Sequence, residues 1–309
     1  MCVSSACTVC QGAVDVKSIT YLIQLFRGRT VDKCGRSLYH DITMSVLFFD
    51  IDNTLLSHLS FSIPESAMLG LRKAKKKGHL LFLSSGRSIQ GLSDYYDPDL
   101  FDGLVASSGA VGVVHEKTVC CHAIAPVYIR KMIDLAEEYH IGLFLQCMES
   151  SKMNVYGFER LSRILGKSVD VMKQLGMTVM TSFPEEPVVK MDIIFSQDTP
   201  VEEILGRIPE GLEVVSLLNP AKNDYGSELT VKGISKGSGI LEMMKVLGKD
   251  PKDSYGFGDS ANDIAMLKEC GVGIAMGNAE PIVKEAADYV TSDIEEDGIF
   301  NALMHFGLI

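Results

Sequence analysis

From Met44 onward, short apolar runs alternate with amphipathic stretches, a rhythm that few architectures accommodate. "SVLFF" (45–49) predicts a buried strand. "PESAMLGLRKAKKKG" (64–78) predicts a helix, with Pro64 near its first turn and Gly78 just past its end. "HLLFLSSG" (79–86) predicts a second strand and "DGLVASSG" (102–109) a third. Late in the chain the rhythm resumes. "KGSGILEMMKVLG" (236–248) predicts a helix, "DSYGFGD" (253–259) a strand, "NDIAMLKECG" (262–271) a helix and "VGIAMG" (272–277) a strand. Such alternation implies an α/β fold, with a Rossmann-like parallel sheet covered by helices on both faces. Ligands of such sheets sit at the carboxyl ends of strands, so the polar residues there are the candidates for function.

Between about 126 and 231 the texture changes. A helix (126–139) precedes two strand-like runs, "IGLFLQCM" and "KMNVYGF". A helical stretch (158–175), "VVKMDIIFS", a short helix and "LEVVSLL" follow. Two strands in succession, then helix and strand again, predict a small α+β domain inserted into the first; one continuous sheet is the alternative. Residues 44–125 and 232–309 are thus expected to form the core, and 126–231 the insert. Residues 1–43 follow no sustained period and lack the parts of a signal peptide, and are expected to be a disordered or atypical extension.

The net charge of −11, from 29 basic and 40 acidic residues, argues against a nucleic-acid partner, which needs a basic face. No segment approaches the ~18 apolar residues of a membrane span. Eight cysteines in a long chain without a signal peptide point to reduced thiols and a cytoplasmic location. Cys2, Cys7 and Cys10 have the C-x4-C-x2-C spacing of plant-type iron–sulfur proteins, with Cys34 available as a fourth ligand. Nothing around them looks like a folded cluster domain, so a chance grouping is the reading taken. Nothing in the sequence bears on oligomeric state.

The chemistry gathers at strand ends. In "FFDIDNTLL", Asp50 and Asp52 stand two residues apart where an apolar run stops. Two ionised carboxylates that close repel each other unless something positive lies between them. Ser85, Gly86 and Arg87 follow the second strand, and Lys236 opens a helix. Asp259, Asn262 and Asp263 lie in "GDSANDIAML". Each has an ordinary reading alone: a helix cap for the serines, a solvated surface lysine, a capped loop at Asp259. Together the carboxylates, hydroxyl and lysine suit Mg²⁺ and a phosphoryl group.

These motifs carry a resemblance. Through DxDxT at 50–54, GDxxND at 258–263, "VGIAMGNA" (272–279) and "ADYVTSD" with "EDG" near the end, the chain resembles Cof-type phosphatases of the haloacid dehalogenase superfamily, which carry a C2B cap. The resemblance covers roughly residues 44–309. About 30 residues separate Asp52 from Ser85, too few for a cap, whereas roughly 150 separate Ser85 from Lys236. The resemblance implies a core with an inserted α+β cap, Mg²⁺ as cofactor and a small-molecule phosphate ester as substrate. It makes Asp50 the nucleophile and a Mg²⁺ ligand. Asp52 gives Mg²⁺ its backbone carbonyl, and its side chain serves as acid and base. Ile51, Ser85 and Gly86 hold the phosphate, and Lys236 and Asn262 neutralise or position it. Asp259 ligates Mg²⁺, and Asp263 acts through water or from behind the direct ligands. Thr54 and Arg87 support the loops.

Sugar phosphates, pyridoxal phosphate, flavin mononucleotide and nucleotides are the substrate classes implied. A sugar phosphomutase of the same cap class and a phosphate-binding protein without turnover are the alternatives. A P-loop enzyme is disfavoured, because Leu161 stands where "LGKS" needs a leading glycine. Two departures stand out. Asn53 replaces a usual glycine, which its tolerance of left-handed angles should allow. Ser108 replaces a common asparagine, putting any role of that asparagine in doubt.

Overall fold

The structure, a computed structural model, describes residues 44–165, 168, 171, 177–196, 198–217 and 226–309. The expectations for residues 1–43, including the spacing of Cys2, Cys7 and Cys10, lie outside the described residues. The chain first lays down β1 (Val46–Phe49), β2 (Leu80–Ser84), β3 (Gly103–Ala106), β4 (Val111–Val114) and β5 (Lys117–Cys121). It continues through β6 (Gly142–Cys147), β7 (Ser151–Met153), β8 (Met177–Val179), β9 (Val188–Ile194), β10 (Leu212–Leu217) and β11 (Gly226–Val231). Last come β12 (Ser254–Gly258), β13 (Val272–Ala275) and β14 (Tyr289–Val290). Among the described residues these strands form two sheets, ordered β14-β13-β12-β1-β2-β3-β4-β5 and β10-β11-β9-β6-β7-β8.

β1 lies inside the first sheet and is buried at every position. It runs parallel to both neighbours, with Val46 opposite Leu80 of β2 and Ser254 of β12. Phe49 stacks on Phe257 with ring centroids 4.6 Å apart. A continuous apolar run suits such a strand, because both sheet faces are covered. The helix Glu65–Lys76 turns Ala67, Gly70, Leu71 and Ala74 inward and carries Lys73, Lys75 and Lys76 in its last turn, where cations favour the helix dipole. The helix ends as the sequence predicts, with Gly78 at φ 92°.

The first sheet is not parallel throughout. β4 pairs antiparallel with both β3 and β5, an edge that the alternating rhythm did not announce. The two residues joining β4 to β5, His115 and Glu116, both have positive φ, 44° and 63°. A two-residue hairpin loop of that type demands such angles.

The second sheet is largely antiparallel and has its own apolar cluster, including Met132, Leu143, Met191, Ile193 and Leu229. It is formed by the chain between β5 and β12, so an α+β cap is inserted into an α/β core. One expectation there is corrected. The strand-like run "KMNVYGF" is strand only to Met153, and a helix begins at Val155. Asn154 is the reason: its Oδ1 accepts from the Gly157 N–H at 2.9 Å, the bond an N-cap makes.

Candidate active site

Because β12, β1 and β2 lie side by side and parallel, the residues after them leave the sheet along one edge. Asp259, Asp50 and Ser85 are those residues. Asp50 extends the ladder by one bond, its N–H donating to the Phe257 carbonyl at 2.9 Å. The carbonyl of Ile51 then accepts from the N–H groups of Thr54, Leu55 and Leu56, winding the chain into a tight loop. Asn53 sits in that loop at φ 57°, and Asn278 Nδ2 donates to its carbonyl at 2.8 Å. The asparagine thus adopts the left-handed angles expected of it.

Lys236 is buried at the start of the helix Lys236–Val246. Its ammonium donates to Asp50 Oδ1 at 2.6 Å and to Asp263 Oδ1 at 2.5 Å. Ser235 and Ser238 form a reciprocal capping box that fixes this first turn. The 107–109 turn presses against it. A Cβ on Gly109 (φ +99°) would lie 1.9 Å from the Ser235 carbonyl oxygen, so only glycine fits.

Asp263 is buried, and its Oδ2 accepts from the N–H groups of Asp259 and Ser260, both at 3.0 Å. It shapes the loop that presents Asp259. Thr54 Oγ1 donates to Asp259 Oδ1 at 3.1 Å, joining the first loop to the last. Carboxylate oxygens of Asp50, Asp259 and Asp263 lie within 4.8 Å of one another. Among the described residues, the side-chain hydrogen bonds to Asp50 and Asp259 fall on Oδ1 of each, and Oδ2 of each accepts none.

The charges do not balance. Burial holds the Asp50 carboxyl well above its ordinary range; the charge on Asp263 adds to this and Lys236 opposes it. Burial and then Asp263 push Asp259 up to about 7. Burial disfavours the charge on Lys236, but Asp263 and Asp50 more than offset it, so the ammonium persists. Oxygen-only donors, two with an uncommitted oxygen, and three acids facing one ammonium fit a hard divalent cation such as Mg²⁺.

Asp52 meets different company. Arg87 grips it with Nε to Oδ2 at 2.9 Å and Nη2 to Oδ1 at 2.5 Å, and His58 Nε2 lies 2.8 Å from Oδ1. Partial burial would raise this carboxyl, but the hydrogen bonds from Arg87 and His58 bring it below the ordinary range. Arg87 also packs over the Tyr95 ring at 4.9 Å. Ser85 is buried, and its Oγ accepts from the Arg87 N–H at 3.2 Å. The helix cap falls on Ser88, whose side chain accepts from the Gly91 N–H. Asn262 Oδ1 accepts from Ser260 Oγ at 2.8 Å, and the same hydroxyl reaches Asp263 Oδ2 at 3.3 Å, so among the described residues that serine links Asn262 to the group.

A family model for haloacid dehalogenase-like hydrolases matches residues 47–303. The chain belongs to that family. Its similarity extends to the solved structure of a subclass IIB sugar phosphatase, BT4131, at 31% identity and a TM-score of 0.72, covering 86% of this chain and 100% of that one. The phosphatase BT1666 from Bacteroides thetaiotaomicron is 26% identical with a TM-score of 0.73, covering 88% of this chain and 99% of that one. A 5-amino-6-(5-phospho-D-ribitylamino)uracil phosphatase of Bacillus subtilis, YcsE, is 26% identical, covering 87% of this chain and 98% of its own length. The subclass IIB likeness agrees with the inserted α+β cap.

This haloacid dehalogenase-like hydrolase also brings polar residues from its second sheet against the first. Lys190 Nζ reaches Glu228 Oε1 at 2.9 Å, Asp192 Oδ1 at 3.2 Å and the Gly86 carbonyl at 3.0 Å. Gln146 Nε2 donates to Asp192 Oδ2 at 3.1 Å, and Gln146 Oε1 accepts from Ser107 Oγ at 3.1 Å. Glu228 Oε2 accepts from Ser108 Oγ at 3.0 Å, with Ser108 itself in a left-handed turn at φ 56°. None of these cap residues was singled out from sequence. The available signal was "VVKMDII", where Lys190 and Asp192 stand two apart and so share one face of an otherwise apolar strand. His58 gave no signal at all. No helix among the described residues is long and apolar enough to cross a membrane.

Proposed function

We propose that the protein is a Mg²⁺-dependent phosphatase that hydrolyses phosphate monoesters of small metabolites, with Asp50 as its nucleophile. The substrate classes are sugar phosphates, pyridoxal phosphate, flavin mononucleotide and nucleotides. One observation supports the reading most: Asp50 directly follows the buried strand β1, with Oδ1 held by Lys236 while, among the described residues, Oδ2 accepts no hydrogen bond. An oxygen of Asp50 attacks phosphorus, the ester oxygen departs, and an aspartyl-phosphate forms. Asp52 gives the departing oxygen a proton. It then takes a proton from the water that releases phosphate and regenerates Asp50.

Both oxygens of Asp52 are occupied by Arg87, so its grip must loosen before a proton moves. Lys236 keeps the Asp50 carboxylate in place and offsets negative charge at the transferring group. Ser85, the N–H groups of Ile51 and Gly86, and Asn262 are assigned to the phosphate oxygens. Asp50, Asp259 and the Asp52 backbone carbonyl would hold Mg²⁺, with Asp263 behind them, and the ion would supply charge neutralisation. Residues 126–231 act as the cap that excludes water and meets the leaving group.

The test is phosphate release over a panel of phosphorylated metabolites in Mg²⁺. Release by the natural protein and none by Asp50→Asn is the expected result. An isomeric sugar phosphate without free phosphate would replace this reading with a mutase.

A further inference from the structure

Lys190 belongs to the second sheet, yet its side chain is only 3% exposed and one of its bonds crosses to the first. An ammonium carries three N–H groups. Here they meet Glu228, Asp192 and the Gly86 carbonyl, so none is left over. The two carboxylates would suffice to neutralise the lysine. The third bond lands on a neutral backbone oxygen, in the loop assigned above to phosphate.

That oxygen controls more than itself. The Gly86–Arg87 peptide is planar and trans, so its N–H points opposite to its carbonyl. This N–H, on Arg87, donates to Ser85 Oγ at 3.2 Å. The Arg87 side chain beyond it grips Asp52. Gln146 Nε2 adds a longer bond to the same carbonyl, at 3.4 Å. A Cβ on Gly86 would lie 3.5 Å from Lys190 Nζ and 3.4 Å from Glu228 Oε1, so the cap side chains sit directly on this peptide.

We propose that Lys190 is a positioning residue: by holding the Gly86 carbonyl it orients the Gly86–Arg87 peptide and, through it, the Ser85 hydroxyl. A lysine of the cap sheet thereby sets the geometry of a phosphate-binding loop in the core sheet. The inference rests on the reading of Ser85 as a phosphate ligand.

A double-mutant cycle on kcat tests it, with p-nitrophenyl phosphate and Mg²⁺ as the probe. Lys190→Met should lower kcat on the order of 10-fold or more while KM stays within about threefold, because the hydroxyl is misplaced where the transition state needs it. Ser85→Ala should lower kcat by itself but add little in the Lys190→Met background. A lysine that only held the fold would give independent losses that multiply. Multiplying losses, or an unchanged kcat in Lys190→Met, overturns the proposal. Should Lys190→Met fail to fold, Lys190→Met/Glu228→Gln removes one carboxylate with the ammonium and carries the same expectation. Failure of the functional reading looks different: the natural protein would then release no phosphate in Mg²⁺, and the inference would fall with it.

Discussion

Asp50 and Asp52 are two residues apart and answer to different partners, an ammonium for one and a guanidinium with an imidazole for the other. Their replacement should therefore damage different steps. With Asp50 as the proposed nucleophile, Asp50→Asn should remove the attacking oxygen and bring phosphate release down to background. Asp52→Asn should cost about 10²–10⁴-fold on an alkyl phosphate and much less on nitrophenyl phosphate, whose leaving group scarcely needs a proton. Rapid-quench kinetics with mass spectrometry should find phosphate trapped on Asp50 in that variant. Equal losses on both esters without trapped phosphate would leave Asp52 as a brace for the loop. A second expectation concerns the crowding of the three acids Asp50, Asp259 and Asp263. Mg²⁺ should raise the melting temperature of the natural protein, by an amount corresponding to about 2.7 kcal/mol at a hundredfold excess over its Kd. Differential scanning fluorimetry of Asp259→Asn should show that rise lost.

At the scale of elements, the hairpin between β4 and β5 turns on His115 and Glu116, neither of them the Asn or Gly that two such positive φ values favour most. His115→Asn with Glu116→Gly should relieve the left-handed strain and stabilise the fold by about 1 kcal/mol, read as a shift of the urea midpoint. Gly109→Ala should act in the opposite direction, losing roughly 3 kcal/mol, because its Cβ collides with the turn that carries Lys236. The same hairpin shows where sequence reading stops. β1, β2, β12 and the acids after them were legible because a strand and the residue that ends it are neighbours in the chain. A two-residue loop written His-Glu lacks the Asn-Gly signature, so the hairpin was not. Lys190 was hidden for another reason. Gln146 lies opposite Lys190 and Glu228 opposite Asp192, pairings between strands that are remote in sequence.

For the whole molecule, two sheets with separate apolar clusters suggest a removable part. A chain lacking residues 126–231, closed by a short linker, should still bind Mg²⁺ through its acids but rank phosphate esters with little discrimination. Calorimetric Mg²⁺ titration and a substrate panel check the two halves of that expectation. An unchanged ranking would move specificity into the core. The place of β1 between β2 and β12 bears also on how the protein is made. β2 leaves the ribosome soon after β1, but Ser254, opposite Val46, is translated only after the entire second sheet. For that interval Val46-Leu47-Phe48-Phe49 offers an unpaired, wholly apolar edge, the kind of template on which nascent chains aggregate. Chains halted before Ser254 should accordingly pellet or travel with chaperones, and synthesis of β12 should set them free.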